Sequence, residues 1–182
     1  MTDETKRKIL DAALKIFAKE GYNSSTTRSI AKESGFSEIT LFRKFETKEK
    51  LFKEAMKVNN EELQLKCITL MEDLEKIDDP EAFLREYIKI MAVFYRENFN
   101  FFNIMVTEDN IHIDSEMGKF GDSLSDFVSE HIDKSCCEVT SIVIAINTFI
   151  YTLNLEIFHG INTNEYNDMI KRFTNNMVRC LN

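Results

Sequence analysis

Three histidines and four cysteines are the side chains of this 182-residue chain best suited to metal or covalent chemistry. His112, His131 and His159 stand far apart. No H-x-x-x-H or H-E-x-x-H occurs, the spacings that place two imidazoles on one helix face around a zinc ion. Cys67, Cys136, Cys137 and Cys180 show no C-x-x-C spacing, and four in a chain this long do not make a disulfide framework, so packed free thiols are expected. No glycine-rich phosphate loop and no G-x-S-x-G elbow is present. Without a constellation of nucleophile, base and orienting group, the expectation is no enzyme, no cofactor and no metal site.

The remaining chemistry is ionic. A net charge of -8 argues against a phosphate-rich partner, because an acidic surface repels phosphates. The distribution reverses that inference. Residues 1 to 50 hold 11 Lys/Arg against 8 Asp/Glu, so a mildly basic head precedes a strongly acidic remainder.

Five glycines and one proline leave few strand turns, which predicts an all-α protein. The charged start MTDETKRKILDAALKIF has no apolar run before a small-residue cleavage site, so no secretory leader is expected and the cytoplasm is the expected location. Val139 to Leu155 is a 17-residue stretch without charge, at the lower limit for a bilayer span. Its Thr140, Ser141, Asn147, Thr148, Thr152 and Asn154 argue against a membrane partner.

Ile9, Leu10, Ala13, Ile16 and Phe17 recur at helical spacing and Gly21 follows, predicting a first helix from about 4 to 20. Asn23 to Thr27 offers N-caps for a second helix over about 27 to 34, closed by Gly35, and Ser37 caps a third over about 38 to 45. Two short helices around a tight glycine turn make a helix-turn-helix pattern, with Ala31 small at the crossing and Ile30, Leu41 and Phe45 as shared core. Longer helices follow: one from Thr47 to the Asp78-Asp79-Pro80 break, one opening at Pro80, a shorter piece through Phe99 to Met105, and a polar loop over 106 to 118. A helix through Phe120 to Ile132, one over about 136 to 159 and a final amphipathic one through Tyr166 to Leu181 complete the chain.

In its first quarter the chain resembles the TetR family of one-component transcriptional regulators. The match rests on ILDAALKIFAKEGYNSSTTRSIAKESGFSEITLFRKFETKEKLF, residues 9 to 52. Its parts are A-x-x-x-x-F-x-x-x-G-Y, T-x-R-x-I-A-x-x-x-G-x-S, T-L-F-x-x-F and K-E-x-L-F, in order at fixed spacing. The resemblance implies a three-helix DNA-binding domain over 1 to 46 and a helical ligand-binding and dimerisation domain over 47 to 182. It also implies a homodimer on a palindromic double-stranded operator, released by a small-molecule effector. Carried over by position, Thr27 and Arg28 meet the DNA backbone, and Lys48 with the amide end of its helix clamps a phosphate. Ser37, Glu38, Ile39, Thr40, Arg43 and Lys44 lie in or beside the groove. Glu38 either accepts from cytosine N4 or serves the helix dipole. Where the family usually has a phosphate-binding tyrosine this chain has Phe42. Phe42 either touches a thymine methyl or sugar, with Ile39 adding apolar contact, or turns into the domain core.

In the remainder, Phe94, Phe99, Phe101, Phe102, Phe120 and Phe127 are candidates to line an apolar effector pocket. The penultimate helix is apolar nearly all round. One side, Val139, Ile142, Val143, Ile146, Phe149, Ile150, Leu153 and Ile157, is expected at the dimer interface with Ile170, Phe173 and Met177; burial inside a monomer explains the same pattern. An alternative reading makes the scaffold a metal- or thiol-responsive sensor, since Cys136, Cys137 and His131 about a turn earlier could approach one soft ion.

Overall fold

The computed structural model describes residues 4–108, 116–132, 138–161 and 164–181, the side chains of 116–122 excepted. Every regular element among them is a helix: α1 (Glu4–Glu20), α2 (Thr27–Ser34), α3 (Glu38–Phe45), α4 (Lys48–Leu74), α5 (Pro80–Glu97), α6 (Phe99–Thr107), α7 (Glu116–His131), α8 (Val139–Phe158) and α9 (Tyr166–Arg179). The chain is all-α, as its composition predicts. His112, Cys136 and Cys137 lie outside the described residues, and so does the Phe120 side chain.

The first three helices begin and end where local chemistry requires. Gly21, at φ 75°, closes α1 and donates to Phe17 O at 2.9 Å. Thr26 caps α2 reciprocally with Ser29: Thr26 Oγ1 accepts from the Ser29 amide at 3.0 Å, and Ser29 Oγ accepts from the Thr26 amide at 3.2 Å. Gly35 ends α2 in the left-handed conformation at φ 76°, a position that penalises any Cβ. The Ser37 hydroxyl then accepts from the Thr40 amide at 3.2 Å and starts α3. Between α3 and α4 the chain turns on Glu46, at φ 63° and ψ -49°, with Thr47 N donating to Phe45 O at 2.7 Å. This tight γ-turn is strained for a residue carrying a Cβ.

The chain divides into two compact units, Met1–Cys67 with Asn100–Ile111, and Ile68–Phe99 with His112–Asn182. The core of the first unit joins Ile9, Leu10, Phe17, Ile30, Leu41 and Phe45 to Leu51, Phe52 and Ala55 of α4, all fully or nearly buried. The unit also takes in most of α6, whose buried Asn103 donates through Nδ2 to Ala18 O at 3.0 Å. Ion pairs Lys6–Glu54 and Arg7–Glu62 tie α1 to α4, and the bond to Glu62 is the main cause that raises the Arg7 pKa.

In the second unit α5 packs on α8 and α9, and α7 packs on α8. Asp79 caps α5 through the Ala82 amide at 2.8 Å with Pro80 in the first turn, as expected. The Tyr166 hydroxyl donates to Ala92 O at 3.1 Å and accepts from Asn154 Nδ2 at 3.2 Å, a buried polar link joining α9, α5 and α8. Helix α8 is long and apolar enough to cross a membrane. Here Ile142, Val143, Ile146, Ile150 and Leu153 are buried against the chain's own helices. The polar loop expected over 106 to 118 is shorter at both ends, since α6 runs to Thr107 and α7 begins at Glu116.

Candidate nucleic-acid interface

Helix α3 divides its residues by the 3.6-residue period. Leu41 and Phe45, four apart, are 2% and 3% exposed and anchor it in the core of the first unit. On the outward side Ile39 is 80% and Phe42 49% exposed. Phe42 therefore does not turn into the core. Arg43 and Ser37 are exposed beside them, Thr40 and Lys44 are half-buried, and Arg28 is exposed in the first turn of α2. Two large apolar side chains held in solvent next to two arginines fit a surface that meets both base edges and phosphates.

Glu38 and Thr27 are brought together. Thr27 Oγ1 donates to Glu38 Oε1 at 2.9 Å, linking the start of α2 to the start of α3. The carboxylate thus sits in the first turn of α3, where the helix dipole favours it, with its direction fixed by a neighbouring helix. One oxygen is engaged by Thr27, so in the chain without DNA the Thr27 hydroxyl is a partner of Glu38.

Lys48 opens α4, but its ammonium is turned inward to the α1–α2 loop. It donates to Tyr22 O at 2.7 Å and Ser25 O at 2.9 Å and lies 4.4 Å from the Tyr22 ring centroid. Two of its three N–H groups hold the loop that presents α2. The same loop is held from α6's C-terminal side: the Tyr22 amide donates to Glu108 Oε1 at 2.6 Å. The Tyr22 ring packs edge-on to Phe52, with centroids 5.1 Å apart, and also meets Phe17 at 5.8 Å. Tyr22, Ser25 and Glu108 are not among the site residues expected from the sequence. The Gly21-Tyr22 pair carried a signal for the first of these, since an aromatic directly after a helix-ending glycine is placed to cover the next helix.

The five described pocket candidates are divided between the two units. Phe101 and Phe102 belong to the first unit, with rings 5.9 Å apart. Phe94, Phe99 and Phe127 are buried in the second. There Phe99 meets Tyr151 and Phe158 at 5.6 and 5.3 Å, while Phe127 meets Phe83 and His131 at 5.8 and 4.9 Å.

The expected interface residues also separate. Val139, Ile142, Val143, Ile146, Ile150 and Leu153 are all under 9% exposed within the chain itself, so the intrachain core has already used them. Phe149, Ile157, Ile170, Phe173 and Met177 remain half-buried, and the Phe149 and Phe173 rings stack at 3.9 Å between centroids. No cluster of three metal-binding side chains occurs among the described residues. Cys67 is buried, with its thiol pushed up to about 11 by desolvation, and Cys180 is exposed.

Residues 9–55, which contain this whole surface, match the family profile described as bacterial regulatory proteins, tetR family. These residues match the DNA-binding region of the tetR family. Among related proteins, the chain is 45% identical over 47 residues to YvkB, an HTH-type transcriptional regulator of Bacillus subtilis; the match covers 26% of this chain and 25% of that one. It is 30% identical over 115 residues to the HTH-type transcriptional repressor NicS of Pseudomonas putida, covering 60% of this chain and 50% of NicS. The matched segments thus span half or less of these relatives' own length. The fold is similar throughout to the transcriptional regulator FadR of Bacillus subtilis, solved in complex with stearoyl-CoA, with a TM-score of 0.65, 17% identity and 96% of each chain covered.

Proposed function

We propose that this protein is a TetR-family DNA-binding transcriptional repressor, acting as a homodimer that places one α3 in each of two successive major grooves of a palindromic operator. A small apolar ligand held by the second unit releases it. The observation that carries the reading is the outward face of α3, where Ile39, Phe42 and Arg43 stand in solvent while Leu41 and Phe45 lock the helix to its support. An eight-residue helix reaches only a few base pairs, so two linked copies supply the missing affinity.

The half-buried Phe149, Ile157, Ile170, Phe173 and Met177 of α8 and α9 form the proposed dimer surface, replacing the six residues that the chain's own core consumes. NicS is named as a repressor and FadR was solved with an acyl-CoA, and both support the regulatory reading. Mobility shift of the full chain on the promoter fragment of its own gene tests it. Binding that is sequence-specific and weakens steeply with salt is expected. Binding to random and promoter DNA with equal affinity would sink it.

A further inference from the structure

Asn147 of α8 holds a side-chain oxygen, Oδ1, that is buried and has no hydrogen-bond partner among the described residues. A buried amide oxygen without a partner has lost its water and received nothing in return, so native proteins rarely keep one without a use. Its place on the helix supplies that use. Asn147, Tyr151 and Phe158 follow at i, i+4 and i+11 and therefore share one face of α8. Phe99, 7% exposed, packs its ring against both Tyr151 and Phe158, and His159 meets Phe158 edge-on at 5.5 Å. The next polar residue along this edge, Asn154, has its amide committed to Ile150 O and the Tyr166 hydroxyl. Asn147 thus brings to this face a buried acceptor without a partner among the described residues.

We infer that the Asn147 oxygen and the Phe99, Tyr151 and Phe158 rings form the effector subsite, and that it takes an apolar molecule bearing an N–H or O–H donor. A buried acceptor one turn from Tyr151, on the helix face that carries these rings, rewards a hydroxyl, amide or ammonium group. It repels a carboxylate, whose oxygens would face another oxygen. Aromatic faces add attraction for a cation, and the acidic remainder of the chain acts in the same direction. The inference rests on the effector reading above but names a ligand class of its own.

The test is calorimetric titration of the full chain with three ten-carbon probes: decylamine, 1-decanol and decanoate. The unaltered chain binds the amine and the alcohol roughly fivefold or more tightly than decanoate, the worth of one hydrogen bond. Asn147→Leu levels the three. Asn147→Asp, which keeps an acceptor and adds charge, widens the preference for decylamine and carries the test if the leucine variant does not fold. Decanoate binding as tightly as decanol, no probe binding at all, or the same ranking in both variants overturns the proposal. So does an Asn147→Leu protein that melts higher with its ranking unchanged, because the oxygen is then only a packing fault. Operator release, measured separately with each probe, isolates the effector reading. Ranked binding with no effect on DNA leaves the subsite standing and removes the effector role. Release by a probe whose affinity ignores Asn147 does the reverse.

Discussion

At Phe42 an exposed ring costs the isolated protein solvation that only a partner can recover. Phe42→Ala is therefore expected to leave thermal stability within about 0.5 kcal/mol, the usual range for a surface change. It should weaken operator binding by roughly 1 kcal/mol, the value of an apolar contact of one or two carbons. Replacing operator thymines by uracils should erase the difference between the two proteins, and a persistent difference would place Phe42 on sugar or phosphate instead. Lys48 behaves oppositely. Its ammonium holds two loop carbonyls, so Lys48→Ala should cost about 1.5–3 kcal/mol of stability in denaturant titration. The salt dependence of DNA binding by the folded variant separates a phosphate contact, which lowers the slope by about 0.9, from loop support alone, which leaves it unchanged. Cys67 gives a pH signature. Its folded thiol, raised to about 11, stays protonated while the unfolded thiol ionises near 9.0. The unfolded state then binds fewer protons, so stability is full below pH 9 and declines between pH 9 and 11. Cys67→Ser should flatten that part of a stability-versus-pH curve.

Among the elements, α1 to α3 were legible because their ends are set by neighbours in sequence: a glycine taking positive φ, or a threonine or serine reaching the amides three residues on. The outward face of α3 was legible only in part. Spacing placed Leu41 and Phe45 in the core, but Phe42 could turn either way until the support helices fixed the rotation of α3. The reach of the first unit into α4 and the face of α8 were not legible. Helix α4 runs unbroken from Lys48 to Leu74, and nothing local says that its Leu51, Phe52 and Ala55 serve the first unit. Helix α8 is apolar on two sides, and periodicity cannot say which side its own chain covers. The γ-turn at Glu46 was also hidden, because glutamate carries no turn signal. Its strain predicts that Glu46→Gly is neutral or stabilising, by up to about 1 kcal/mol, as the Cβ penalty at positive φ disappears. Gly35→Ala, where open space leaves only the φ penalty, should destabilise by about 1–2 kcal/mol. Paired urea titrations check both, and destabilisation by the glycine variant would remove the strain argument.

For the whole molecule, the proposed function requires two recognition helices to be linked. The stacked rings of Phe149 and Phe173 remain half-buried on the chain, beside Ile170 and Met177, which are half-buried too. Placing a carboxylate there puts charge into a surface that must lose water to associate, while the core residues Ile142, Ile146 and Ile150 are untouched. Phe149→Glu combined with Phe173→Glu should therefore halve the mass seen by sedimentation without changing the helical circular dichroism. Monomers lose the gain from linkage, so operator affinity should fall by about 100-fold or more, while binding to a single half-site stays the same. Substituting Ile144, exposed on another side of α8, with glutamate should leave the mass unchanged. If that variant dissociates and the double phenylalanine variant does not, the dimer surface lies on the opposite side of α8, and the arrangement of the two α3 helices must be redrawn from there.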